Sequence, residues 1–185
     1  MKTLLLILLS FVSILSNAQT KIMDDTIKYY YLTPDKVSGE EFRQLVELIH
    51  DGGENTKENI LPKLKQAKEI AFAKSGKEII STLTIKQPLD TIRKDIFERA
   101  KSTFSYKEYI LETGFWATKK DFQNKGVFKT MLNAQMIKFK NEKMYCILNN
   151  EDGISLLTKN YGFKLNGNSF ISKKSGHVYN LLVKE

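Results

Sequence analysis

Residues 112–141 carry the residue types and the spacing that could bind a phosphate group. An aromatic and β-branched run over residues 109–117 predicts a buried strand, with Gly114 indicating a bulge or a close backbone approach. The polar loop QNKGVF at 123–128 then leads into an amphipathic helix. The first turn of a helix has free backbone N–H groups and the positive end of the helix dipole, so it attracts phosphate. A glycine at position 126 would let such a ligand come up against the main chain.

The same residues resemble motif A of the GNAT superfamily, the acyl-CoA-dependent N-acetyltransferases. In that pattern a strand ending in Glu-Leu-Gly is followed, nine residues on, by the loop Q/R-x-x-G-x-G/A. Here ETG at 112–114 leads, Gln123 falls nine residues after Gly114, and Gly126 is in register. The last loop position is Phe128 instead of Gly or Ala, which we expect to narrow the pocket without removing the N–H donors. The alternative is an ordinary strand-to-helix turn.

The resemblance implies acetyl-CoA as acyl donor and direct transfer of the acyl group to an amine acceptor that the sequence does not identify. Acyl transfer from a thioester requires four things: a held pyrophosphate, a polarised carbonyl, a deprotonated amine and a protonated leaving thiolate. The cofactor-binding residues that the family implies are Trp116, Ala117 and Thr118 at the thioester, and Gln123, Asn124, Lys125, Gly126, Val127, Phe128 and Lys129 at the pyrophosphate.

Glu112 is the candidate catalytic residue, because the family often keeps a glutamate on this strand as a base that acts through water. The alternative is a strand-edge glutamate paired with a lysine, and a catalytic carboxylate needs a perturbed pKa that no sequence displays. No metal site is predicted, since His50 and His177 lie far apart without ligand spacing around them. Cys146 in a short apolar strand is expected to be a buried small side chain.

The leaving-group position departs from the family. Motif B commonly reads N-x-x-A-x-x-L-Y-x-x-x-G-F, with the tyrosine protonating the thiolate. Aligned on Gly162 and Phe163, the chain has Leu157 in place but Thr158 where the tyrosine belongs. Either water or another residue serves as the acid, or the protein is a non-catalytic exported domain that keeps the fold and binds a ligand without turnover.

The elements that must position these residues follow the order β, α, α, β, β, (α), β, α, β, α, β, β. Periodicity alone gives an α/β or α+β domain. The GNAT resemblance adds a mixed, mostly antiparallel central sheet flanked by helices, with the fourth and fifth strands splayed to admit the cofactor. Ser38 and Glu41 form a predicted capping box for the first helix, and Asp90 is a predicted cap for a helix with Ile92 facing inward. Other predictions are a helix over 153–160 begun by Glu151 or Asp152, a strand over 163–171, and a helix over 56–67 that Pro62 either delays or kinks.

Composition indicates one globular domain. The chain has 185 residues, 42% of them hydrophobic and 27% charged, with a formal net charge of +8. A basic balance allows a polyanionic partner, but the lysines are scattered, so a solvated surface is as good an explanation. We predict no nucleic-acid partner, because the sequence has neither a recognisable binding motif nor a concentrated basic stripe.

Residues 1–18 have the layout of a secretory signal peptide: Lys2, an apolar run over 3–15, and small residues before Gln19. The prediction is an acetyltransferase-like domain at 19–185 that is exported, periplasmic or secreted, and has no stable membrane span once the signal is cleaved. If the signal is not cleaved, the protein is cytoplasmic or membrane-anchored. Export conflicts with the cofactor, because acetyl-CoA is a cytosolic metabolite.

Overall fold

A computed structural model describes residues 27–53, 56–172 and 175–185. The signal peptide predicted at 1–18 lies outside the described residues. The strands are β1 Lys28–Leu32, β2 Glu69–Ser75, β3 Glu78–Lys86, β4 Leu111–Thr118, β5 Met144–Leu148, β6 Lys164–Leu165, β7 Phe170–Ile171 and β8 Val178–Lys184. The helices are α1 Gly39–Asp51, α2 Lys57–Lys65, α3 Asp90–Arg99, α4 Val127–Lys138 and α5 Glu151–Asn160.

The strands form one mixed sheet in the order β1-β2-β3-β4-β5-β8-β6, with β7 paired to β8. All neighbours are antiparallel except β4 and β5, which run parallel. These two pair only through Leu111 with Met144 and Glu112 with Tyr145, so they separate beyond that point. The predicted class, a mostly antiparallel mixed sheet flanked by helices, is confirmed.

Two layers of helices cover the sheet. Helices α4 and α5 pack on one face, where the buried apolar stripe of α4 meets β2, β3 and β5. Helices α1 and α2 cover the other face over β2 to β4, and α3 covers that face over β5 and β8. A buried carboxylate, Glu69 on β2, accepts hydrogen bonds from Gln135 and Lys138 and so ties α4 to the sheet.

Several local predictions are confirmed. Ser38 Oγ accepts from the N–H of Glu41 at 3.2 Å while the Glu41 carboxylate accepts from the N–H of Ser38 at 2.8 Å, which completes the capping box. Pro62 lies inside α2, so that helix starts before the proline instead of being delayed by it. The apolar face predicted for α4 is buried along its length: Val127, Met131, Leu132, Met136 and Phe139.

Three details were wrong. Helix α3 begins at Asp90, with Leu89 as its cap, and Ile92 is 43% exposed while Arg93 is buried. The Arg93 guanidinium reaches back to the carbonyl of Pro88 at 2.6 Å, so Arg93 takes a place on the inward face of the helix beside the buried Ile96 and Phe97. The helix predicted over 153–160 is longer at its start: α5 begins at Glu151, one of the two predicted starts, and its cap is Asn150, whose Oδ1 accepts from the N–H of Gly153 at 2.7 Å.

The third difference concerns the closing hairpin. The predicted strand over 163–171 is broken into β6 and β7, because Gly167 turns the chain with φ of 71°. The next residue, Asn168, donates its N–H to the carbonyl of Ala100 at the end of α3, at 2.6 Å.

In the part of the chain that the structure describes, no helix has both the length and the apolar character needed to cross a membrane.

Candidate functional site

Strand β4 carries a bulge in its middle. Thr84 of β3 lies opposite Gly114 and Thr82 lies opposite Ala117, so two residues of β4 face the single residue between them. Phe115, the first of the two, has φ of 53°. The bulge reverses the side-chain alternation, so Phe115 packs against α1 and α2, whereas Trp116 packs on the face of α4. The predicted irregularity beside Gly114 is therefore confirmed.

A cavity of about 530 Å³ opens where β4 and β5 separate, and we call it the central cavity. Its lining on the sheet includes 114–116 of β4 and 146–148 of β5, together with Lys86 of β3 and Glu112 of β4. Around it stand the end of α1, one side of α3 and the hairpin formed by β7 and β8. The volume falls in the range of small-molecule sites.

Glu112 lines the central cavity at the end where β4 and β5 still pair. Its side chain is 7% exposed; Oε1 forms an ion pair with Lys86, and Oε2 accepts a hydrogen bond from the Tyr145 hydroxyl at 3.0 Å. Burial, and then the adjacent carboxylate, raise the pKa of the Tyr145 phenol, which keeps it a neutral donor. The lysine pairing that we weighed as the alternative role is thus present, in a buried cavity instead of at a strand edge.

Lys86, the last residue of β3, pairs with Glu112 from the position directly opposite it on the neighbouring strand. Its ammonium lies 4.7 Å from the centre of the Phe115 ring, and its side chain is 15% exposed. A Cβ placed on Gly114 would stand 2.8 Å from Lys86 Nζ, closer than side-chain atoms normally approach. Gly114 therefore makes room for the ammonium against the main chain of β4.

The loop before α4 is shaped to present backbone donors. Asn124 has φ of 59° and Gly126 has φ of 78°, and the first helical bond runs from the N–H of Thr130 to the carbonyl of Gly126 at 2.9 Å. No side chain of the described residues caps this helix, and its first turn has no acidic residue. The N–H groups of 127–129 at the positive end of the dipole therefore suit an anion.

Two other residues of this loop make contacts that fix the chain between β4 and α4. Gln123 donates from Nε2 to the carbonyl of Thr118 at 3.1 Å, and Lys125 lies over the Phe122 ring, 5.3 Å from its centre. Lys129 is exposed. The described loop residues do not line the central cavity, but Phe128 packs against Trp116, which does, with 5.2 Å between ring centres. The contact between Trp116 and Phe128 therefore connects the loop before α4 with the edge of the central cavity.

The backbone donors predicted at 116–118 differ in direction. The N–H of Lys119 donates to the carbonyl of Ile80 at 2.8 Å, and Ala117 lies opposite Thr82 two residues earlier. Because hydrogen-bonded pairs alternate along an antiparallel ladder, the N–H of Ala117 points at β3 and that of Thr118 points toward the gap beside β5. Trp116 gives its indole N–H to Thr113 Oγ1 at 3.2 Å.

The side chains of Thr158 and Cys146 are poorly placed to act as an acid or a nucleophile. Thr158, which takes the place of the family tyrosine, donates its hydroxyl to the helical carbonyl of Ile154 at 2.9 Å. Burial, and then the charge of Glu112, raise the pKa of the Cys146 thiol, which stays protonated at neutral pH. Within residues 27–53, 56–172 and 175–185, no group of three or more His, Cys, Asp or Glu could hold a metal ion.

Sequence reasoning missed Lys86 and Tyr145. Lys86 is the last residue of a strand, and Tyr145 alternates with apolar neighbours, so each resembles an ordinary sheet residue. Only the strand register, which puts Glu112 opposite Lys86 on one side and Tyr145 on the other, brings the three together.

Comparisons with known proteins agree with this architecture. No family model and no curated protein matches the sequence. Among solved structures, FeeM, an N-acyl amino acid synthase from uncultured soil microbes, has a TM-score of 0.66 at 12% identity, covering 88% of this chain and 91% of its own. An acyl-CoA N-acyltransferase from Pseudomonas aeruginosa has a TM-score of 0.61 at 9% identity, with 86% and 100% covered.

A third structure names the family. A protein from Desulfovibrio desulfuricans assigned to the GNAT family of acetyltransferases has a TM-score of 0.59 at 8% identity, covering 86% of this chain and 98% of its own. At these identities the likeness shows the fold. The chain therefore has the GNAT fold, as the spacing of Gly114, Gln123 and Gly126 predicted.

Proposed function

We propose that this protein is an N-acyltransferase that moves an acyl group from a CoA thioester, acetyl-CoA in the simplest case, directly to an amine. The observation that carries the proposal is the gap between β4 and β5. It has an uncapped helix N-terminus on one side and a cavity holding Glu112 on the other. Such a gap can hold a donor whose phosphates stay at the surface while its thioester reaches the acceptor.

The donor's pyrophosphate would bind the N–H groups of 127–129, with Gly126 allowing close approach. Lys125 and Lys129 are exposed at the same loop and add positive charge. The main chain of 116–118 is the candidate for polarising the thioester carbonyl, since Trp116 lines the cavity and the N–H of Thr118 points toward the gap. Trp116 and Phe128 would flank the passage between the two ends of the donor.

The acceptor amine would enter the central cavity and give its proton to Glu112, directly or through water. Glu112 is the carboxylate among the described lining residues, so it is the base that the cavity offers. No covalent intermediate is required, because a deprotonated amine can attack the thioester itself. We expect Glu112→Gln to depress the transfer rate at neutral pH, and an unchanged pH–rate profile would remove this role.

Calorimetric titration with acetyl-CoA and CoA tests the proposal, with Gly126→Ala as the probe and Gly162→Ala as the matched control. Both glycines have positive φ, 78° and 72°, and a Cβ on either meets no described atom within 4 Å. Each substitution therefore costs similar backbone strain, but only the one at 126 would meet a pyrophosphate. Saturable binding that Gly126→Ala weakens and Gly162→Ala does not is the expected result; binding that both variants retain would overturn the loop assignment.

Turnover decides between the enzyme and the second candidate, a non-catalytic exported domain of the same fold. The observation that favours the second candidate is Thr158, whose hydroxyl is committed to the carbonyl of Ile154. Release of free thiol from acetyl-CoA in the presence of a pool of amines would support the enzyme. Tight binding without such release would support the binding domain.

Export by residues 1–18 is a further part of this proposal, and mass spectrometry of the extracytoplasmic fraction would test it.

A further inference from the structure

We propose that Lys86 and Glu112 work as one proton-transfer pair, with Lys86 as the acid that protonates the leaving thiolate. This inference rests on the proposed acyltransferase function. It assigns an acid to the leaving-group step, because the residue at the position where the family places its tyrosine is Thr158. A threonine hydroxyl is a far weaker acid than a phenol, and this one already donates to Ile154.

The position of Lys86 supports this assignment. Its ammonium lies inside the central cavity, against the main chain at Gly114, next to the bulge of β4. The main chain of 114–116, which contains the bulge, lines the same cavity. A thioester that enters the cavity along this segment would bring its sulfur into the space that the Lys86 ammonium shares.

The other ionisable groups that line the cavity fit the role less well. Cys146 is buried on the far side of β5, facing α4 and α5, and its pKa is raised by burial. Arg99 is held by Asp95 and the carbonyl of Ile171, and a guanidinium does not give up its proton in proteins. Lys63 is an exposed residue on α2. Among the cationic residues that the structure describes in the cavity lining, Lys86 is therefore the one that lies against the bulge and carries a proton that it can donate.

The pairing with Glu112 lets the two groups exchange protons and reset. The acceptor ammonium gives one proton to the Glu112 carboxylate, and the resulting amine attacks the thioester carbon. As the tetrahedral intermediate collapses, the carbon–sulfur bond breaks, the nitrogen loses its second proton to solvent, and Lys86 protonates the departing thiolate. The neutral acid of Glu112 then returns its proton to the neutral amine of Lys86. The sum is one ammonium and one thioester converted to one amide, one thiol and one released proton.

Tyr145 fits this scheme as a positioning residue. Its hydroxyl donates to the second oxygen of Glu112, which leaves the first oxygen facing Lys86. Because burial raises the pKa of this phenol, it keeps its own proton throughout.

The test compares Lys86→Arg and Lys86→Met with the wild type under single-turnover conditions, using two acetyl donors. Arginine keeps the charge and the pairing with Glu112 but cannot release a proton, so it separates ion pairing from acid catalysis. With acetyl-CoA, both variants should lose about 10²- to 10⁴-fold in rate. With an acetyl aryl thioester, whose thiolate leaves without protonation, the loss should shrink to within about tenfold.

The matched control is Lys74→Met, which removes a similarly covered Lys–Glu pair with Glu41, remote from the central cavity. It should keep the wild-type rate with both donors. Wild-type rates in Lys86→Arg, or equal losses with the two donors, would overturn the role of Lys86. If instead the wild type neither binds acetyl-CoA in the titration nor releases thiol from it, the proposed function itself fails.

Discussion

The Tyr145 hydroxyl donates a hydrogen bond to Glu112 Oε2 at 3.0 Å, joining β5 to β4 at the last residue pair before the strands separate. The side chains thus continue the link where the backbone ladder stops. Because the carboxylate also holds Lys86 of β3, one buried residue connects three strands at the narrow end of the gap. The width of the gap at that end depends on this cluster.

Tyr145→Phe should destabilise the fold by about 2 kcal/mol, because it removes one hydrogen bond from a buried charged group and leaves the ring packing in place. The control is Tyr29→Phe on the exposed edge strand, which should change stability by less than about 0.5 kcal/mol. Urea unfolding measures both. Equal stability of Tyr145→Phe and the wild type would mean that the hydrogen bond from the Tyr145 hydroxyl to Glu112 does not stabilise the contact between β4 and β5.

Gly167→Ala should be far more destabilising than the same change at the positive-φ glycines Gly126, Gly162 and Gly176. A Cβ at 167 would lie 2.0 Å from the carbonyl oxygen of Ala100, and backbone cannot yield as a flexible side chain does. We expect a loss of about 3–5 kcal/mol. Gly162→Ala has nearly the same φ and open space around it, so it should cost only about 1–2 kcal/mol.

Thermal unfolding of the two variants checks this difference. Similar midpoints for Gly167→Ala and Gly162→Ala would show that the hairpin is not docked tightly on the end of α3. The same segment leads into β7, whose Phe170 lines the central cavity, so Gly167→Ala should also weaken acceptor binding wherever the variant still folds.

The parts of this fold that follow from local patterns could be predicted, and those that depend on register could not. The order of elements, the capping box at Ser38 and the bulge near Gly114 each rest on residues close in sequence. The burial of Arg93 in place of Ile92 could not be foreseen, because it depends on a carbonyl that the preceding turn happens to present. Periodicity assigns apolar residues to the buried face of a helix, but it does not predict a buried guanidinium whose two NH2 groups bond Pro88 and Asp90.

The candidate site divides in the same way. Glu112 and the loop at 123–129 follow from one continuous stretch with recognisable spacing. Lys86 and Tyr145 belong to strands that flank Glu112 in space but are separated from it by long stretches of chain, and no spacing rule links them. Sequence therefore indicated a carboxylate, whereas its ion pair and its hydrogen bond came only from the sheet register.

Gly114→Ala should mimic loss of the Lys86 ammonium. The new methyl would lie 2.8 Å from Nζ and 2.9 Å from Cε of Lys86, so the end of the lysine side chain must shift and its pairing with Glu112 is disturbed. We expect a stability loss of about 1–3 kcal/mol and a fall in transfer rate like that of Lys86→Met. In a Lys86→Met background, Gly114→Ala should lower the stability and the transfer rate much less. Methionine has no ammonium that the new methyl could displace from Glu112. A double-mutant cycle measures this, and strict additivity would contradict the contact.

The last prediction concerns acid pH and the start of α1. Burial acts to raise the pKa of Glu41, but hydrogen bonds from Lys74 and from Ser38 outweigh it, so the folded-state pKa lies below its ordinary value of 4.5. A carboxyl group whose pKa is lowered by folding stabilises the protein above the unfolded-state pKa and loses that contribution as pH falls through the folded-state value. Lys74→Met removes the strongest of these partners. Its deficit in unfolding free energy should therefore be full near pH 7 and should shrink below about pH 4.5. Urea titrations of the wild type and the variant across pH 3 to 7 measure it, and a deficit that stays constant or grows toward acid pH would show that Lys74 contributes by packing on Tyr30 and Phe72 instead.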